Sequence, residues 1–239
     1  MKSRSLMLLG RDYTELGPLA QVSLPEGGAL ALSRGARPKD YDAVDPNEDA
    51  ALLVRAERGA LLAVADGFHG VAASHGALEL CERAAPALIG VGLADFRLGI
   101  ERLALSMAQE ARNLGASRTC LVLAAVDVGG CRWACLGDSS LYRSTQPESV
   151  SSPNDLIVRP GLRALPHPVE YWSGGFRPER GERIALVSDG VTNFVEDLSA
   201  IPRLLTSAKS DAEAAREIAL AALHGGAGDN VAVVTLTLA

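Results

Sequence analysis

Four times in this chain an aspartate stands beside a glycine where an apolar run begins or ends: Asp66-Gly67, Gly137-Asp138, Asp189-Gly190 and Gly228-Asp229. A further acidic pair, Glu48-Asp49, opens another apolar run. Aspartate is a poor strand residue and glycine a turn residue, so each site taken alone reads as ordinary turn chemistry. As a set they read differently. Ends of strands in one sheet lie side by side, and carboxylates crowded together repel one another and take up protons more readily. A dication removes that repulsion and keeps the groups ionised. Oxygen-only donors suit Mg²⁺ or Mn²⁺ rather than zinc or copper. Asp45, Asn47 and Asp49 alternate as in a calcium loop, but Ala50 and Ala56 stand where such a loop needs glycine and glutamate. A phosphate-binding Walker loop, a dinucleotide fingerprint and a nucleophile elbow are all missing from the sequence.

The elements that must position these groups follow from periodicity. Residues 27–33 read as a strand that enters a polar loop, 34–46. Two apolar runs, Ala50–Val54 and Ala60–Ala65, flank Glu57-Arg58-Gly59 and predict a hairpin whose second strand stops at a sharp Asp66-Gly67 turn. Ala72–Ala84 and Phe96–Leu114 predict helices, the second ended by Gly115. Thr119–Val126, Cys131–Leu136 and Ser139–Arg143 predict an antiparallel meander. The proline-rich stretch 144–180 predicts a long loop or flap. A strand at Arg183–Val187, a helix at Asp211–Leu223 and a last strand at Val231–Leu238 complete the chain. Neither an internal repeat nor a linker is evident, so residues 1–239 are expected to form one domain, with 1–27 an N-terminal extension or edge strand.

Composition narrows the class. Hydrophobic residues are 48% of the chain and charged ones 22%, a globular balance. Aromatics are only 4%, so Leu, Val, Ile and Ala must build the core. A formal net charge of −6 argues against a general nucleic-acid binder. The sequence has no apolar run of membrane-spanning length, and the apolar stretch after Met1 ends at Gly10-Arg11-Asp12, too soon for a signal-peptide core. Cys81, Cys120, Cys131 and Cys135 lack CxxC spacing and read as reduced core thiols, with Cys131 and Cys135 on one face of a strand. A cytoplasmic location is expected.

The ordered series Asn47-Glu-Asp-Ala50, Val64-Ala-Asp-Gly67, Gly137-Asp-Ser139, Val187-Ser-Asp-Gly190 and Gly228-Asp-Asn-Val231 resembles the bacterial type 2C, metal-dependent serine/threonine protein phosphatases. Each motif is short, but five in the family's order, from about Gly28 to the C-terminus, make a specific pattern. The resemblance implies an α+β fold: a sandwich of two antiparallel β-sheets flanked by helices. It implies two divalent ions, Mn²⁺ or Mg²⁺, with Asp66 bridging them and the Gly67 carbonyl on one. Asp189 and Asp229 would complete the other ion, Glu48 and Asp49 would hold metal-bound waters, and Asp138 would help bind a third, looser ion. The implied reaction is hydrolysis of phosphoserine or phosphothreonine by a metal-bridging hydroxide, without a phosphoenzyme. The implied partner is a phosphoprotein in signal transduction, a serine/threonine kinase or its target.

Departures from the family pattern are local. The family's phosphate-gripping arginine, a few residues before Asn-Glu-Asp, is replaced by Val44, with Arg37 and Arg34 farther upstream as candidates. Ser140 takes the arginine place of the Gly-Asp-Ser-Arg motif. The segment Phe68-His-Gly-Val-Ala-Ala-Ser-His75 brings His69 close to Asp66 as a candidate general acid, while His75 reads as a helix-surface residue. His167 reads as a loop residue and His224 as a helix C-terminus. These departures keep a second reading open, a type 2C-like regulatory binding module without catalysis.

Overall fold

Between Gly59 and Phe68 nearly every residue is buried, because this strand carries a layer on each face. Leu61, Ala63 and Ala65 join one apolar cluster, while Ala60, Leu62 and Val64 join another, the two-residue alternation of a strand. A computed structural model describes residues 3–41, 43–110, 117–151 and 171–238. In chain order its strands and helices are β1 (Arg4–Leu9), β2 (Ala20–Ser23), β3 (Ala29–Ser33), β4 (Ala50–Ala56), β5 (Gly59–Phe68), α1 (Ala72–Leu88), α2 (Leu93–Glu110), β6 (Arg118–Asp127), β7 (Gly130–Leu136) and β8 (Ser140–Arg143). They continue with β9 (Trp172–Phe176), β10 (Arg183–Val187), α3 (Asp189–Thr192), α4 (Ala200–Ser207), α5 (Asp211–His224) and β11 (Val231–Thr237).

The strands form two antiparallel sheets, ordered β1-β4-β5-β6-β7-β9 and β2-β3-β11-β10-β8. Leu30, Leu32, Leu53, Leu62, Leu186 and Val234 fill the space between the sheets. Helices α1 and α2 cover the outer face of the first sheet through Ala77, Leu78, Cys81, Phe96 and Ile100. Helix α5 covers the second through Ala214, Ala215, Ile218, Ala219 and Ala222, recurring at helical spacing. The layers are therefore helix, sheet, sheet, helix, the α+β sandwich that the resemblance implied. Each fully buried leucine contributes about 1.5–3 kcal/mol relative to exposure, so a largely aliphatic core suffices with few aromatics, Phe96, Trp133 and Tyr142 among them. All four cysteines are free and buried, and Cys131 and Cys135 both face the inter-sheet space. No helix among the described residues is long and apolar enough to cross a membrane.

Several elements differ from the sequence reading. Strand β5 runs on through Asp66 and Gly67 to Phe68, so that pair is not a turn. Gly137, with φ at +108°, does turn the chain, but it leads out of the first sheet: β8 pairs with β10 in the second, so the expected meander ends at β7. Within 144–180 the strand β9 adds to β7, and residues 152–170 lie outside those described. Helix α1 extends past Ala84 to Leu88, and α3 follows β10 directly at Asp189. The segment before residue 28 supplies an edge strand to each sheet, β1 and β2.

Helix α5 is tied to the sheet by a buried polar knot. Asp211 accepts from Gly28 N at 2.7 Å, Arg183 Nε at 2.9 Å and Thr237 Oγ1 at 2.6 Å. Ser210 caps the helix by accepting from Glu213 N. Asp211→Ala leaves the buried Arg183 without its carboxylate partner and is expected to cost about 3–5 kcal/mol. The measurement is a urea titration, where the midpoint should fall at constant slope; a loss below about 1 kcal/mol would show that the knot does not anchor the helix.

Candidate functional site

Strand register brings the first two carboxylates together. Ala50 lies opposite Ala65, so the next residues outward, Asp49 and Asp66, continue the same pairing. Asp49 has the parity of Ala51 and Leu53, and Asp66 that of Leu62 and Val64, so both belong to the inter-sheet face. Asp138 lies on the crossing from β7 to β8, Asp189 begins α3 at the end of β10, and Asp229 precedes β11. Because β10 and β11 are antiparallel neighbours, the end of one lies beside the start of the other. Both sheets thus deliver acidic residues to one end of the sandwich.

Glycine serves close approach here. A Cβ on Gly67 would lie 2.2 Å from Glu48 O, and one on Gly190 would lie 1.9 Å from Asn230 O. Asn230 holds the loops around the site: its Oδ1 accepts from Glu48 N at 2.8 Å, and its Nδ2 donates to Arg34 O at 3.0 Å and Pro46 O at 3.1 Å. Asn193 donates to Asp189 Oδ2 at 2.9 Å. Asn47 accepts from Asp49 N through Oδ1 at 3.3 Å and donates to Tyr13 O at 3.0 Å.

The carboxyl groups feel one another strongly. Burial raises the pKa of Asp66 well above the ordinary range, and the charges of Asp189 and Asp49 and a hydrogen bond with Asp189 add to it. Burial pushes Asp49 up to about 8, with Lys39 opposing and Asp229 and Asp189 adding. Asp189 is raised to about 6 by burial, its hydrogen bond with Asp66 opposing and Asp229 and Asp138 adding. Asp49 Oδ2 and Asp138 Oδ1 are buried with no hydrogen-bond partner. Orphaned buried carboxylate oxygens in an all-oxygen donor set fit hard divalent cations. Among the described residues, however, no three acidic, histidine or cysteine side chains are grouped as ready ligands of one ion. Their oxygens are turned to other partners. Glu48 Oε1 accepts from Gly70 N, Asp229 Oδ1 accepts from Asn230 N at 2.8 Å, and Lys39 Nζ sits 2.9 Å from Glu48 Oε2 and 3.2 Å from Asp229 Oδ1. Burial works against the Lys39 charge, but Asp229 and Asp49 outweigh it and its pKa is raised.

The remaining sequence candidates lie around this cluster. Arg37 is exposed, its guanidinium 5.8 Å from the Phe194 ring centre, and its Nε is 2.9 Å from where a Cβ on Gly228 would stand, beside Asp229. Arg34 donates to Thr14 O at 2.7 Å, and Val44 is exposed. His69 is exposed, with φ at +58° and its ring edge-on to Phe68. His75 is buried rather than on the helix surface; neither ring nitrogen has a partner, and burial, followed by the charge of Arg11, lowers its pKa to about 4. Ser140 is buried at the start of β8 opposite Val187, a place with no room for an exposed cation. His224 ends α5, and His167 lies outside the described residues. Sequence reading missed Lys39 and the positioning role of Asn230. For Lys39 one signal was available: it is one of three lysines among 23 basic residues. A depression of about 960 Å³ at the opposite end of the sandwich, between Arg58, Leu93, Val128 and Phe176, holds none of these carboxylates.

No family model and no curated protein matches the sequence. Solved structures do. The PPM Ser-Thr phosphatase MsPP from Mycobacterium smegmatis, in complex with cacodylate, is 24% identical, with a TM-score of 0.68 over 91% of this chain and 100% of that one. The catalytic domain of the phosphatase PstP, in complex with two manganese ions, is 23% identical, with a TM-score of 0.66 over 93% and 100%. PppA, a regulatory component of the type VI secretion system in Pseudomonas aeruginosa, is 21% identical, with a TM-score of 0.61 over 99% and 97%. The fold is that of the PPM serine/threonine phosphatases. Within this PPM fold the ends of the two sheets meet at the carboxylate cluster described above.

The cluster has a pH signature. Asp49 binds its proton more tightly folded than unfolded, so folding takes up a proton and stability falls as pH rises from about 4 towards 8. His75 acts in the opposite sense, but only below about 6.5, where the unfolded imidazole gains its proton. Between pH 6.5 and 8 the slope belongs to the carboxyl groups. In chelator-treated protein the unfolding free energy should fall there by up to about 1.4 kcal/mol per pH unit for each proton. Asp49→Asn should flatten the slope and millimolar Mg²⁺ should remove it; a level profile in the chelated wild type would contradict the crowding.

Proposed function

We propose that this protein is a metal-dependent phosphatase that hydrolyses phosphoserine or phosphothreonine on a protein substrate. The observation that carries this reading is the delivery of Asp49, Asp66, Asp138, Asp189 and Asp229 from two sheets to one end of the sandwich, with two buried oxygens left unpartnered. Asp66, Asp189, Asp229 and the Gly67 carbonyl would hold two divalent ions, Mn²⁺ or Mg²⁺, with Glu48 and Asp49 on their waters and Asp138 towards a third, weaker one. Bound there, such ions supply an acidified water as nucleophile and positive charge for the phosphoryl oxygens.

The chain's own groups frame that chemistry. Asn230 and Gly70 orient Glu48 through its backbone N–H and its Oε1. Arg37, stacked on Phe194 at the edge of the cluster, is the guanidinium placed to grip a phosphate through paired N–H donors. His69, exposed just beyond the end of β5, is the group that can hand a proton from its ring to the departing serine or threonine oxygen. Thiol nucleophiles do not enter, because all four cysteines are buried and burial raises the pKa of each, Cys81 and Cys131 to about 12. The location we propose is the cytoplasm and the partner a phosphorylated protein, such as a serine/threonine kinase or its target. A regulatory module on the same fold is the second reading. Lys39 inside the carboxylate cluster and exposed Val44 in place of the arginine favour it.

The test is Mn²⁺-dependent hydrolysis of a chromogenic phosphate ester and of phosphopeptides. Wild type should turn over, and Asp66→Asn and Asp229→Asn should each lose at least 100-fold, about 2.7 kcal/mol of barrier. Arg37→Ala should raise KM more than it lowers kcat. Metal uptake without turnover on any substrate would move the assignment to the regulatory reading.

A further inference from the structure

Among the described residues Lys39 is ion-paired with two carboxylates of the acidic cluster, and its placement is specific. Its side chain is 5% exposed although it comes from the polar loop between β3 and β4. Its Nζ lies 2.9 Å from Glu48 Oε2, on a side chain with no exposure, and 3.2 Å from Asp229 Oδ1. The Tyr41 ring, centred 5.1 Å away, is its cation–π partner. Arginine supplies the great majority of basic residues here, so lysine at this position is not a compositional default. The two side chains differ in what they permit. Guanidinium locks carboxylates in a planar fork, whereas ammonium is a compact point charge on a flexible stem that can leave.

We infer that Lys39 is an internal counter-ion of the carboxylate site, and that a divalent ion enters only by displacing its ammonium. The inference rests on the reading of Glu48 and Asp229 as groups that serve divalent ions. Lys39 spans these two side chains, so ammonium and dication compete for the same oxygens, and like charges at such separations repel. Without ions, Lys39 partly neutralises the cluster and holds Glu48 against Gly70. With ions, it withdraws along the loop towards solvent. Lys39 thereby sets the concentration at which the site fills, acting on the ions as a positioning residue.

Two measurements on the full chain test this, neither of them turnover. In wild-type protein treated with chelator, acylation by an amine-reactive ester followed by mass spectrometry should modify Lys39 at least tenfold more slowly than exposed Lys209, and saturating Mn²⁺ should raise the Lys39 rate severalfold. Calorimetric titration should show Lys39→Met binding Mn²⁺ at least tenfold more tightly than wild type. Lys39 reacting as fast as Lys209 without metal, or staying protected with Mn²⁺ bound, would overturn the inference. So would equal or weaker Mn²⁺ affinity in Lys39→Met, and in those cases Mn²⁺ uptake by wild type leaves the phosphatase reading standing. Absence of Mn²⁺ uptake in both proteins would remove that reading and the inference together, whereas uptake gained only in Lys39→Met would support an ammonium that has taken the ion's place.

Discussion

The constraint on which the rest of this structure depends is mutual repulsion among carboxylates held out of water at one end of a sandwich. Asp49 and Asp66 continue the pairing of two neighbouring strands that are mostly apolar, so neither can turn away to solvent without breaking the hairpin. The second sheet brings Asp189 and Asp229 to the same end. Burial and crowding then work together and raise the pKa values of Asp49 and Asp66. A cluster of this kind needs positive charge. Lys39 supplies part of it, and divalent ions are the charge that an all-oxygen donor set accommodates best.

The surrounding fold makes that crowding tolerable. Both sheets are covered on their outer faces by helices and packed against each other through aliphatic side chains, which keeps the strand ends in register. Gly67 and Gly190 allow backbone to pass against the carbonyls of Glu48 and Asn230, closer than any side chain would permit. Asn230 ties together loops that are nearly 200 residues apart in sequence through Glu48, Pro46 and Arg34. Farther away, Asp211 and Arg183 perform an analogous task for α5, but there each charge has its full set of partners. The two buried clusters differ in that respect: one is satisfied by protein alone and the other leaves Asp49 and Asp138 oxygens orphaned.

Likeness to PPM phosphatases at 23–24% identity concerns the backbone. In the segment between β3 and β4, Val44 is exposed, Arg34 is engaged by a loop carbonyl, Arg37 stacks on Phe194 and Lys39 points into the cluster. Positive charge around the acidic residues is therefore arranged by the loop between β3 and β4.

Sequence alone determined the hairpin of β4 and β5, the helices α1, α2 and α5 and the final strand, because alternation and helical spacing report which side of an element is buried, whereas the two-sheet class followed from the resemblance carried by the ordered acidic motifs. It misjudged the glycine beside Asp66 as a turn, since a glycine needed for close approach to another strand looks the same in sequence as one needed for a bend. It joined β8 to β7 as a meander, since a short connection does not reveal whether the next strand stays in the same sheet. Only the tertiary structure decided that His75 is buried and that Lys39 lies between Glu48 and Asp229. Those facts depend on contacts across the fold, and local pattern carries no record of which distant charge a flexible side chain will meet.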